Sequence, residues 1–143
     1  MPTKKQETPT VAVSGGFDPL HAGHVRMIRA AADHGDVIVI ANSDAWLIRK
    51  KGYTFMTFEE RKEILSAIKG VKSVVEAEDD DNSVCMSLAK ICPTYFANGG
   101  DRYADNTPEL QICKKYGIEL IWNVGGTKIQ SSSELVENAR ENK

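Results

Sequence analysis

The sequence has little of what marks several large protein classes. It carries three cysteines, Cys85, Cys92 and Cys113, an odd number with no CxxC pair. That argues against a disulfide framework and against a structural zinc site, and predicts reduced, mostly buried thiols. No apolar run approaches the ~20 residues of a membrane span, and residues 1–9 lack the apolar stretch of a signal peptide. A cytoplasmic protein with no membrane partner is therefore expected. The formal net charge is -2, so no global basic field draws the chain to nucleic acid. The dinucleotide fingerprint G-x-G-x-x-G and the P-loop pattern are both absent, as are internal repeats, linkers and low-complexity segments.

What is present suits one globular domain. The chain has 143 residues, 41% of them hydrophobic and 27% charged, enough to bury a core without staples. Residues 1–9 read as a loose tail and residues 10–143 as the folded domain. A β-branched run at 10–14, ended by Gly15-Gly16, predicts the first strand. A helix follows over about 23–34, with Val25, Ile28 and Ala32 on one face and Gly35 as its stop. The nearly all-apolar segment 36–41 reads as a strand buried on both faces. Asp44 is placed as the cap of a short helix that ends near Arg49-Lys50-Lys51-Gly52. Thr57 and Glu60 make a capping box for the next helix, which Gly70 stops. Strands are expected at 72–77, 94–97 and 119–123. Helices are expected at about 83–91, from Thr107-Pro108 to Gly117, and from Ser131 to about Asn138. The acidic run Glu78 to Asp81 reads as a solvated loop. Alternation of this kind predicts an α/β fold: a single Rossmann-like domain, an open five-stranded parallel sheet with helices on both faces, and ligands at the carboxyl ends of the strands.

The chemistry gathers after the first strand, in Gly15-Gly16-Phe17-Asp18-Pro19-Leu20-His21-Ala22-Gly23-His24. Two glycines let backbone come close to a ligand. Two of the chain's three histidines flank a helix start, where N–H groups and the dipole favour phosphate. An imidazole can donate to a phosphate oxygen in either protonation state, and Gly23 leaves room between the rings. The pair His21 and His24 thus reads as a clamp on a polyphosphate. A shared metal is the weaker reading, because no third ligand of the right kind stands nearby.

This segment resembles the HxGH signature of the cytidylyltransferase-like nucleotidyltransferases, a superfamily that shares a Rossmann-like sheet with class I aminoacyl-tRNA synthetases. The layout is similar both to glycerol-3-phosphate cytidylyltransferases and to the adenylyltransferase half of ADP-heptose synthesis enzymes. A second segment, Gly125-Gly126-Thr127-Lys128-Ile129-Gln130-Ser131-Ser132-Ser133, resembles the family's later signature. The resemblance implies nucleotide contacts from Gly15, Gly16, Phe17, Asp18, Gly23, Gly100 and Asp101. Ser131, Ser132 and Ser133 would receive the β- and γ-phosphates, with Lys128 as a cation beside them. It implies that Lys51 or Lys50 reaches the acceptor phosphate and the α-phosphate, and that Arg61 and Arg102 serve the acceptor side. Asp18 is a candidate for orienting a histidine or a metal-bound water.

The implied reaction is attack by an acceptor phosphate on the α-phosphorus of an NTP, with Mg²⁺ on the phosphate oxygens and pyrophosphate leaving. His21, His24, Lys51 and Lys128 would carry it, with no protein-held metal. CTP with a small polyol phosphate such as glycerol 3-phosphate is favoured. ATP with a sugar 1-phosphate or FMN is the alternative, and a non-catalytic nucleotide-binding module is the rival of another class. The resemblance also implies a homodimer.

Overall fold

The computed structural model describes residues 9–79, 83–97 and 108–121. Within them the chain alternates β1 (Thr10–Gly15), α1 (Ala22–Ala31), β2 (Asp36–Ala41), α2 (Asp44–Lys51), α3 (Phe58–Ser66), β3 (Val71–Glu76), α4 (Cys85–Ile91), β4 (Tyr95–Ala97), α5 (Pro108–Tyr116) and β5 (Glu119–Ile121). The five strands form one sheet in the order β3-β2-β1-β4-β5. Every pairing is parallel. The expected tail to residue 8, the serine-led helix and the end of the fifth strand fall outside the described residues.

Strand residues alternate between two cores, one on each face of the sheet. Val11, Val13, Val37, Val39 and Ala41 join Ile28 and Ala31 of α1 and Phe58 and Leu65 of α3. Ala12, Ile40 and Phe96 face the other way, toward Leu88 of α4 and Cys113 of α5. Branched residues that bury both faces of a central strand drive this layering. The register of β1 on β2 runs unbroken from Thr10 opposite Asp36 to Gly15 opposite Ala41, so the two strands end level. Their following turns therefore emerge side by side at the carboxyl edge. The sequence order reverses between β1 and β4, and there an α/β sheet opens a crevice.

Helix ends differ in detail from their sequence-based placement. Ser43, not Asp44, caps α2: its Oγ accepts from Trp46 N, and Asp44 becomes the acidic residue of the first turn. Both residue types cap well, so one position of phase decides between them. Thr57 caps α3 through Glu60 N as expected. The first helix stops at Ala31, and Ala32 to His34 turn toward Gly35. Ser83 stands before α4 rather than in it, and its Oγ accepts from Cys85 N.

Candidate active site at the carboxyl edge of the sheet

The turn after β1 is held close to its surroundings. A Cβ on Gly16 would lie 3.1 Å from Cδ2 of Leu47, so α2 packs directly on this backbone. Phe17 is buried with φ of 53°, a left-handed conformation that bulky residues seldom adopt. Its ring folds back over Gly15, where a Cβ would stand 3.3 Å from Phe17 Cζ. Packing over-determines this backbone, and it delivers the next residues to the helix start. The Asp18–Pro19 peptide is cis.

The two histidines cap α1 reciprocally. His21, in extended backbone, accepts from Gly23 N at Nδ1 (3.1 Å), and His24 Nδ1 accepts from His21 N (3.2 Å). Their rings stack with centroids 3.9 Å apart and planes 25° apart, and the His24 ring meets Phe17 edge-on at 4.9 Å. A nitrogen that accepts a hydrogen bond carries no proton. Each neutral ring therefore holds its proton on Nε2, across the ring, as a donor. Two stacked imidazoles set on a helix N-terminus suit an anionic ligand.

The structure separates the two lysines that sequence leaves equivalent. Lys51 Nζ donates to the Asp18 carbonyl oxygen at 2.7 Å and lies 3.4 Å from Asp18 Oδ2. Lys50 is exposed, with its Nζ 4.9 Å from the centroid of the Trp46 ring. Lys51 is the lysine that turns toward the histidine-bearing segment.

Asp18 is buried, at 1% exposure, and its carboxylate clasps the loop between α2 and α3. It accepts from Phe55 N at 2.8 Å and from Met56 N at 2.7 Å, besides the Lys51 contact. These charge-assisted bonds make the buried carboxylate tolerable. Its role is to fix that loop and Lys51 against the first turn.

Arg61 is fully buried and ties three segments together. Its Nε donates to Met56 O, Nη1 to Gly16 O and Asn42 O, and Nη2 to Asp44 Oδ1 at 2.7 Å. Sequence reasoning found this residue but placed it on the acceptor. Its side chain, at 0% exposure, reaches the carbonyls of these turns and the Asp44 carboxylate.

Asp79 departs from the reading of the acidic run as solvated, while Glu78 is exposed as expected and Asp80 and Asp81 lie outside the described residues. Asp79 is 2% exposed and accepts from Asn42 Nδ2, Ser43 N and Ser43 Oγ, the last at 2.7 Å. Its carbonyl oxygen accepts from Arg49 Nη2. Through Ser43, Asp79 sets the start of α2, whose last turn carries Lys51. The available signal was Asn42-Ser43, a donor pair directly after a buried strand and in need of an acceptor.

Gly100, Asp101, Arg102, Lys128, Ser131, Ser132 and Ser133 lie outside the described residues. Among the described residues no group of three or more His, Cys, Asp or Glu could hold a metal ion. None of the described helices is long and apolar enough to cross a membrane. A clear pKa shift falls away from this edge: burial pushes the Cys113 thiol up to about 11, with Glu109 and Cys85 adding to it.

A parallel sheet covered on both faces, with paired histidines at its first turn, defines a Rossmann-like α/β domain with a candidate anion site at the carboxyl ends of its strands. The chain belongs to the family described as Cytidylyltransferase-like, which it matches over residues 12–141. It is 33% identical over 136 residues to the bifunctional protein HldE of Pelobacter propionicus, covering 92% of this chain and 27% of that one. It is 37% identical over 126 residues to HldE of Enterobacter sp. (strain 638), covering 86% and 24%. The chain thus spans about a quarter of the length of the curated relatives it matches. A lipopolysaccharide core biosynthesis protein from Thermoplasma volcanium shares the fold, with a TM-score of 0.68 at 19% identity over 87% of this chain and 100% of that one.

Proposed function

We propose that the chain transfers the nucleotidyl group of ATP to a sugar 1-phosphate and releases pyrophosphate. The observation that supports the reading is the reciprocal histidine cap, which stacks two imidazoles at the N-terminus of a helix directly after β1. ATP is preferred over the CTP that the sequence alone favoured because the HldE relatives side with the adenylyltransferase half of the resemblance.

An acceptor phosphate is already ionised at neutral pH, so the attack needs no general base. Its oxygen forms a bond to the α-phosphorus as the bond from that phosphorus to the bridging oxygen breaks. Catalysis then rests on alignment and charge stabilisation. His21 and His24 donate to the α-phosphate and the bridging oxygen. Lys51 holds the two mutually repelling phosphates in line, positioned by Asp18. Lys128 with Ser131, Ser132 and Ser133 would receive the leaving pyrophosphate.

Mg²⁺ is proposed to arrive on the triphosphate oxygens. Asp18, the carboxylate nearest the histidines in sequence, is engaged by Phe55, Met56 and Lys51, so the described residues form no protein cage for the ion. A homodimer and a cytoplasmic setting belong to the same reading.

The test is a pyrophosphate-release screen of four NTPs against sugar 1-phosphates, glycerol 3-phosphate and FMN, with Mg²⁺. Release with ATP and a sugar 1-phosphate is the expected result. Release with CTP and glycerol 3-phosphate alone would return the assignment to the polyol reading. NTP binding without release from any pair would mark a non-catalytic module.

A further inference from the structure

Tyr53 and Phe55 stand out among the large apolar side chains. They sit in the short loop between α2 and α3, 37% and 51% exposed, where folding alone gains little from them. The loop under them is anchored. Gly52 ends α2 in a left-handed conformation, and the N–H groups of Phe55 and Met56 are fixed to buried Asp18. The rings also fix each other, edge to face, with centroids 5.3 Å apart and planes 83° apart. Two exposed aromatics on a tethered backbone form a preorganised surface.

The same surface holds the lysine of the site. Lys51 Nζ lies 5.5 Å from the Tyr53 centroid and 6.0 Å from the Phe55 centroid while it donates to Asp18 O. A phosphate gripped by Lys51 would lie within reach of these rings. A pyranose has one face of C–H bonds that is apolar and faintly positive, which matches the negative face of an aromatic ring. Its hydroxyls stay at the rim in water. A three-carbon polyol phosphate has no such face and leaves the rings uncovered.

We infer that Tyr53 and Phe55 are specificity-determining residues that receive the ring of a cyclic sugar phosphate whose phosphate is held by Lys51. The inference rests on the proposed transfer reaction and names which acceptors it takes.

The experiment measures binding of glucose 1-phosphate, mannose 1-phosphate and glycerol 3-phosphate to the full chain, in the presence of α,β-methylene-ATP. That analogue cannot release pyrophosphate. The hexose phosphates bind more tightly than glycerol 3-phosphate, and ring protons of Phe55 or Tyr53 show NOEs to sugar C–H protons. Phe55→Ala weakens hexose phosphate binding about tenfold, with less than about a twofold change for glycerol 3-phosphate, and Phe55→Trp restores it. Equal losses for both acceptor types would mean that the rings act through Lys51, and would overturn the inference. So would unchanged hexose phosphate binding, no hexose phosphate binding by the parent chain, or a variant that loses only self-association. Hexose phosphate binding through the rings without any pyrophosphate release in the screen would sink the transfer reading and leave the ring contact standing.

Discussion

The two ends of the sheet solve the same problem, turning a chain between layers, with different materials. At the amino edge the turns are plain. Asp36 N donates to Pro9 O, the hydroxyls of Thr10 and Thr94 accept from each other's backbone N–H, and Gly35 fits under Pro9, where a Cβ would come 2.3 Å from the Pro9 oxygen. At the carboxyl edge the chain buries Asp18, Arg61 and Asp79. Buried charge is costly unless every group is matched, so backbone turns would be the simpler stabilising choice at both ends. The carboxyl edge holds side chains in fixed places, and the amino edge only reverses direction.

Substitutions can break or sharpen that contrast. The largest expected effect is Arg61→Met. It strips the donor from three carbonyls and from Asp44, and should lower unfolding free energy by about 3–5 kcal/mol in urea titrations. A loss under about 1 kcal/mol would mean that the guanidinium is not the tie between these turns.

Next is His24→Ala, predicted to cut turnover by about 100–1000-fold, with a stability loss of only ~1 kcal/mol from the missing cap bond. Full activity in a steady-state pyrophosphate assay would remove His24 from the mechanism. Gly35→Ala is the matching probe of the amino edge. It should destabilise by about 1–3 kcal/mol while leaving KM for ATP unchanged. A raised KM there would show that the two edges are coupled.

The last effect is in pH. The Cys113 thiol has its folded pKa raised to about 11 from an ordinary value of 9.0. Its contribution is complete below 9 and fades as the pH climbs to about 11, because the unfolded chain ionises first. Thermal melts of parent and Cys113→Ala across that window should converge by on the order of 2–3 kcal/mol at most. Parallel curves would contradict it.

Much of this architecture is legible in the residues. Val37, Val39 and Ile40 alternate between two cores, and a strand apolar on both faces has no place outside a doubly covered sheet. Thr57 marks its helix start because a cap is local chemistry. The histidine pair is legible from its position after Gly15-Gly16. Less legible are features set by phase or by partners far along the chain. Lys50 and Lys51 differ only in which side of the last helical turn they leave. Asp79 meets Ser43 from another strand's turn, so the acidic run gives no local hint of burial. Arg61 is singled out only through the resemblance, and its bonds to the carbonyls of Gly16 and Asn42 are ones no sequence pattern displays.

The reciprocal cap of α1 has a consequence for redesign. Serine, aspartate or asparagine at position 21 would start this helix as well as histidine does. The cap bond alone therefore leaves the imidazole replaceable, and what sets histidine apart is its ring, stacked on His24, and its second nitrogen. An asparagine at 21 would keep the cap bond while deleting Nε2, and on the proposed reading it would lose the grip on phosphate with little change in fold. Such a chain tests that reading more cleanly than an alanine, which removes the cap bond as well.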